Sequence, residues 1–257
     1  MSWPGGAAYA VSVTVDVDGT YGLPGGGAGS EARLTSRSER RYGVLRGVPR
    51  LLSILSGAGV TGTFYVPGAV AAEHPETVGA IVAGGHEIGH HGHRHRRPDE
   101  LGDAEQQYEL QAGLEALTTA VGERPTGYRA PEWELTPYTL DALAGLGLSH
   151  ESSLMSSDHP FRVSSGSGSL IELPVHWSLD DAPHFDRGGD PDTLSATWHA
   201  ELDMARAEGR HVTFTMHPEI LGRPHRACVL ERLVERALAD GAWIAPHREV
   251  AAHVAAS

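Results

Sequence analysis

The sequence predicts an α/β fold built on a parallel sheet and, with this many strand–helix units, a closed or nearly closed barrel. Three observations carry that expectation. Short β-branched runs alternate with helical patterns along the chain, polar residues collect where those runs end, and no linker marks a domain boundary. The 257 residues fit a single domain spanning 1–257, since α/β barrels of roughly 250 residues are common as one unit. Hydrophobic residues make up 40% and charged residues 21%, which suffices for a sizeable core.

Residues 9–17 (YAVSVTVDV) are β-branched, apolar and alternating, and read as a buried strand that ends at Asp16 and Asp18. The Gly-rich loop at 19–30 has neither the spacing nor the following helix of a dinucleotide-binding fingerprint. Helices are expected at about 43–58, with Val44, Val48, Leu51, Leu52 and Leu55 on one side, and at 75–83, 99–121, 136–146, 190–208 and 223–240. Pro137 stands at the start of one of them, where its missing N–H costs nothing. Further strands are expected at 62–66, 86–89, 127–129, 170–177, 211–216 and 243–245, with a serine- and glycine-rich loop at 152–169 and a terminal helix.

The formal net charge of -13 argues against nucleic acid or an anionic membrane as partner. All 20 basic residues are Arg, and Lys and Asn are absent, which excludes a lysine Schiff base and N-glycosylation. The one cysteine, Cys228, excludes an internal disulfide and fits a reducing compartment. It lies in a helical-looking run and is expected to be a buried small hydrophobe. Residues 7–15 are apolar but short, follow no basic region and run into Asp16, as a strand does and a signal peptide or membrane span does not. With Met1 as the start, a cytoplasmic enzyme is expected.

The densest chemistry lies at 85–95, GHEIGHHGHRH, where His86, His90, His91, His93 and His95 are five of the chain's 16 histidines. Imidazole is the commonest metal ligand, and the spacing of four between His91 and His95 would put both on one face of a helical turn. Histidine-rich tracts also arise as surface clusters or non-catalytic metal binders, so catalysis requires partners elsewhere. Asp16, Asp18, Arg129, Trp177 with Asp180 and Asp181, and His217 all fall at strand ends. Taken singly, a D-x-D turn, a surface arginine or a structural histidine is an ordinary feature. Their joint occurrence at successive strand ends, where such barrels carry active sites, is not.

The segments TVDVDG (14–19), GHEIGHHGHRH (85–95), GYRAPEW (127–133), ELPVHWSLDD (172–181) and TMHP (215–218) resemble, in order, the five motifs of the polysaccharide deacetylase family (carbohydrate esterase family 4, the NodB homology domain). The resemblance spans nearly the whole chain. It implies a distorted (β/α) TIM-like barrel holding one divalent metal, zinc before cobalt, nickel or manganese, on Asp18, His91 and His95. It also implies that Asp16 is the general base, oriented by Arg129, and that His217 is the general acid protonating the leaving nitrogen. The metal would acidify the attacking water and polarise the carbonyl. Trp133, Trp177, Glu132, Asp180 and Asp181 are expected on the substrate side. The tryptophans would be pocket walls, Glu132 would face either pocket or solvent, and one of the two aspartates, not decided by sequence, would tune His217. His86, His90 and His93 are left to packing, hydrogen bonding to the ligands or pocket lining.

Four departures from the family pattern stand out: Val17 between the two aspartates, His90 for the usual Asn, Gly92 for the usual Ser or Thr, and Pro218 for Asp. They resemble a cytoplasmic branch that includes allantoinases, cyclic imide hydrolases and peptidoglycan deacetylase-like proteins. Allantoinase members have altered ligands, whereas Asp18, His91 and His95 are all present here, so metal is expected. The branch also suggests a homo-oligomer. The expected function is hydrolysis of a non-peptide carbon–nitrogen bond, foremost N-deacetylation of an acetamido sugar or related N-acyl substrate. Opening of a cyclic imide or amide at the same site is the alternative, and a non-catalytic metal-binding protein on an enzyme fold is a second. A serine hydrolase is excluded because no G-x-S-x-G elbow occurs.

Overall fold

The computed structural model describes residues 2–24 and 26–257. Its nine strands are β1 (Ala10–Asp16), β2 (Thr63–Val66), β3 (Glu87–His90), β4 (Gly127–Tyr128), β5 (His150–Glu151), β6 (Phe161–Ser165), β7 (Gly168–Glu172), β8 (His211–Met216) and β9 (Trp243–Ile244). The helices are α1 (Leu34–Tyr42), α2 (Val48–Ala58), α3 (Gly68–Glu73), α4 (Pro75–Ala83), α5 (Asp103–Val121), α6 (Pro137–Gly145), α7 (Asp181–Asp186), α8 (Pro191–Glu208), α9 (Cys228–Ala239) and α10 (His247–Ala256). One sheet runs in the order β6-β7-β5-β4-β3-β2-β1-β8, with β9 beside β1. All pairings are parallel except the β6–β7 hairpin. The sheet curls into a half-barrel, and a single bridge from Asp180 to Thr215 spans the gap between the segment after β7 and β8. This is the distorted (β/α) barrel that the motifs imply.

Strand alternation sorts the side chains. On β1 and just beyond, Val11, Val13, Val15 and Val17 join the main core with Leu51 and Leu55 of α2, Trp198 and Leu202 of α8, and Leu230, Leu233 and Val234 of α9. The intervening Ser12, Thr14 and Asp16 turn into the barrel, where they bond His211, Thr215 and Arg129. On β8, Val212, Phe214 and Met216 enter the same core, and His211, Thr213 and Thr215 face inward. The interior of this barrel is therefore polar and hydrogen-bonded, while its apolar core lies between sheet and helices.

Several elements differ from the sequence reading. The expected helix at 43–58 begins earlier, as α1, and continues through a wide π turn at Gly43–Gly47 into α2. That turn ends just before Pro49, which has no N–H to return to the preceding turn. It also allows a close approach, because a Cβ on Gly47 would lie 2.1 Å from the Pro218 carbonyl oxygen. The short α3 and α7 were not legible as helices, β5 was not read as a strand, and the serine- and glycine-rich stretch contains β6 and the start of β7. Edge strand β6 alternates between half-buried and exposed positions, so its sequence carries little apolar signal. Cys228 is only half-buried, because it opens α9 rather than lying on its inner face. No described helix is long and apolar enough to cross a membrane.

Candidate active site

β1 ends at Asp16, and two residues further Asp18 enters a short 3-10 turn. β3 ends at His90, and its alternation separates the two adjacent histidines. His90 points outward, where its Nε2 meets the Leu110 carbonyl of α5 at 2.9 Å, and His91 points into the barrel. His91 and His95 do not share a helical turn, contrary to the spacing argument. They lie on an irregular loop, and His95 reaches the site by adopting φ +54°. Their Nε2 atoms each stand 3.5 Å from Asp18 Oδ1.

These three residues fit a divalent metal. Asp18, His91 and His95 are all buried, with one donor atom from each within 4.8 Å of the others. Asp18 Oδ1 is buried without a hydrogen-bond partner, which is costly unless a cation takes it. His91 Nδ1 lies 2.8 Å from the Arg129 carbonyl. Since a carbonyl only accepts, Nδ1 carries the proton and Nε2 presents its lone pair. Burial pushes His95 down to about 4, so it stands as the neutral imidazole that a metal requires.

Arg129, with no exposed surface, organises the base side. Its Nη1 donates to Asp16 Oδ1 at 2.8 Å and to Thr14 Oγ1 at 2.9 Å. Its Nε and Nη2 donate to the Ser152 carbonyl and hydroxyl, both at 3.0 Å, and the guanidinium lies 4.3 Å from the Tyr65 ring centre. A fully engaged planar cation leaves Asp16 one orientation. Asp16 Oδ2 has no protein hydrogen bond among the described residues, and Asp16 lines the cavity.

Across the cavity, His217 follows β8. Its Nε2 is 3.9 Å from Asp18 Oδ2, and its Nδ1 donates to Asp181 Oδ1 at 2.8 Å. Asp181 also accepts the backbone N–H groups of His217 and Leu221, so one carboxylate fixes both the ring and its turn. Burial opposes a charge on His217, but Asp180, 3.4 Å away, and Asp181 outweigh it and hold the imidazolium well above the usual histidine range. Asp181 is thus the direct partner of His217. It is fully buried behind the ring and, although expected on the substrate side, is not among the residues that line the cavity. Asp180 lines the cavity and caps α7 by accepting from the Ala182 N–H.

The cavity between these groups measures about 650 Å³ and is lined also by Trp133, Trp177, Glu132, Arg97 and Arg187. The Trp133 and Trp177 rings lie 4.5 Å apart at 31°. Glu132 stands at the rim, 3.7 Å from Arg97. The described non-glycine residues with positive φ are His95, Glu132 and Trp133, and all three border this cavity, as strained residues at functional sites do. His86 accepts from the Gly62 N–H, His90 braces the loop from outside, and His93 packs against Tyr108; none of the three lines the cavity.

Two residues that sequence reasoning missed border the metal site. Arg40 Nη1 is 4.0 Å from Asp18 Oδ2 and pairs with the buried carboxylate of Glu219. Arg40 lies on α1, a charged run with no apolar periodicity, so no local signal marked it. Glu219 follows the TMHP motif directly, and proximity to His217 was its only mark.

Fold and site together define a hydrolase-type barrel with a histidine–carboxylate centre. The polysaccharide deacetylase family model matches residues 42–150. A Mycobacterium smegmatis protein assigned to the polysaccharide deacetylases superposes with a TM-score of 0.94 at 41% identity, covering 100% of this chain and 93% of that one. The chain belongs to the polysaccharide deacetylase family. A peptidoglycan deacetylase from Helicobacter pylori is 26% identical over 260 residues, 88% of each chain. An allantoinase, Puue, shares the fold with a TM-score of 0.89 at 22% identity, covering 99% of this chain and 93% of that one.

Proposed function

We propose that this protein is a metal-dependent hydrolase of a non-peptide amide bond, with N-deacetylation of an acetamido sugar or related N-acyl compound as its reaction. One observation carries the reading: the Asp18–His91–His95 donor set lies in one cavity between Asp16, held by Arg129, and His217, held by Asp181. A divalent ion on that donor set, zinc before cobalt, nickel or manganese, supplies Lewis acidity to the carbonyl and acidity to water. Asp16 accepts the proton of the attacking water, and Arg129 keeps its free oxygen turned to the cavity. As the carbon–nitrogen bond breaks, His217 Nε2 donates its proton to the nitrogen, which leaves as the amine while the acyl group leaves as a carboxylate. Asp181 keeps the Nδ1 proton in place so that Nε2 faces the reaction. Trp133 and Trp177 form an apolar wall suited to a sugar ring, and Glu132 and Asp180 offer hydrogen-bond acceptors at its margin.

A cyclic imide or amide is the second substrate class. The observation favouring it is the set of departures at Val17, His90, Gly92 and Pro218, which the structure leaves compatible with a complete donor set. A cytoplasmic location belongs to the same proposal, supported by the single thiol, Cys228. The test is to assay zinc-loaded and chelator-stripped protein on an N-acetylated chito-oligosaccharide and on succinimide. Metal-dependent release of acetate supports the first substrate class and ring opening the second; silence on both refutes both substrate assignments.

A further inference from the structure

The loop carrying His91 and His95 has no regular secondary structure, and Gly92 (φ +71°) and His95 (φ +54°) both lie in the left-handed region. A segment of this kind does not hold one conformation unaided. The inner side of α5 holds it. Glu109, 5% exposed, accepts the backbone N–H groups of His93 at 2.9 Å and Arg94 at 2.7 Å on a single oxygen, Oε2. One residue on, the Leu110 carbonyl takes His90 Nε2, and His90 Nδ1 accepts the Gly92 N–H at 3.0 Å. A turn further, Gly113 lets helix and loop approach until a Cβ there would lie 2.6 Å from the Gly92 carbonyl oxygen. From the other side, the Gly68 and Ala69 N–H groups at the start of α3 donate to the Gly92 and His93 carbonyls. Glu109 belongs neither to the donor set nor to the lining of the catalytic cavity.

We propose that Glu109 is a positioning residue for the metal centre: by holding the His93 and Arg94 N–H groups it fixes the left-handed turn that aims His95 at Asp18 and His91. The proposal rests on reading Asp18, His91 and His95 as a metal site. Glu109 acts as a hydrogen-bond acceptor, so glutamine, with one oxygen at the same reach, retains the function and alanine does not.

The test measures Co²⁺ binding by calorimetry and the visible spectrum of the cobalt-loaded protein for the parent chain, Glu109→Ala, Glu109→Gln, Glu109→Asp, His95→Ala and the Glu109→Ala/His95→Ala double variant. Loss of a group that orients a ligand lowers metal affinity roughly ten- to a hundredfold. That loss is expected for Glu109→Ala, with an altered cobalt spectrum and most of the affinity restored by Glu109→Gln. Added to His95→Ala, the Glu109→Ala change is expected to cost nothing more, since the ligand it positions is gone. Parent affinity and spectrum in Glu109→Ala overturn the proposal, as does a full additional loss in the double variant, which marks a general structural role. Should Glu109→Ala not fold, Glu109→Asp decides: its withdrawn oxygen weakens Co²⁺ binding if the proposal holds, and parent affinity overturns it. A parent chain that binds no Co²⁺ overturns the metal-site reading instead.

Discussion

Asp16 and Asp18 differ by two positions on the chain and by everything in their surroundings. Asp16 bonds a guanidinium and keeps one oxygen free, whereas Asp18 faces three imidazoles and has a buried oxygen with no partner. The first arrangement suits a base, and the second a ligand. Replacing Asp16 with Asn removes the proton acceptor at constant shape, so kcat should fall by about 10² to 10⁴, with Zn²⁺ affinity little changed in calorimetry. Full activity in that variant would remove Asp16 from the mechanism. His217 presents a second residue-scale test. Its carboxylate neighbours keep the imidazolium protonated through neutral pH, so the alkaline limb of kcat/KM reports its deprotonation. Asp181→Asn weakens that hold and should move the limb down by roughly one pH unit or more; an unmoved limb would assign it to another group.

At the scale of elements, β3 shows how alternation turns a run of histidines into distinct functions. His90 and His91 are neighbours, yet one binds a helix carbonyl and the other faces the metal site. Period-two geometry alone separates them. The π turn before α2 makes a comparable contribution from outside the barrel, because Gly47 lets it close against the turn that carries His217. Gly47→Ala would drive a Cβ into backbone rather than into a movable side chain. A destabilisation of about 1–3 kcal/mol is expected, read from urea unfolding midpoints, together with reduced kcat because Pro218 adjoins His217. Unchanged stability and activity would show that this contact has slack.

For the whole molecule, a polar barrel interior has a cost in acid. His211 is pushed down to about 3 by burial and by neighbouring Arg210, and His247 is held well below the usual histidine range by burial, with Arg129 adding to it. Both are neutral when folded. An unfolded histidine takes up its proton near pH 6.5, so below that pH the unfolded chain binds more protons than the native one, and stability falls with pH. Between pH 7.5 and 5 His211 alone loses about 2 kcal/mol, and His247 adds to that loss. The Tm of metal-free protein should drop on the order of 10 °C. A Tm unchanged from pH 7.5 to 5 would contradict the buried, neutral assignment.

By itself, the sequence determined the alternation of strands and helices, the order of the five motifs, and the polar residues gathered at strand ends, to which the family resemblance added the proposed roles. These are local properties: period, spacing and residue type are written within a few positions of each other. Local pattern did not show which groups meet: the resemblance paired Asp16 with Arg129, and only the tertiary structure made Asp181 rather than Asp180 the direct partner of His217. Asp16 and Arg129 are 113 positions apart, and His217 and Asp181 are 36 apart. Such pairings depend on strand order and register, which no local pattern encodes. For the same reason Arg40, Ser152 and Glu109 were invisible as site residues, and His95 was placed on a helical turn that does not exist. Its aim comes from hydrogen bonds supplied by α5, a helix whose own sequence shows no sign of the loop it holds.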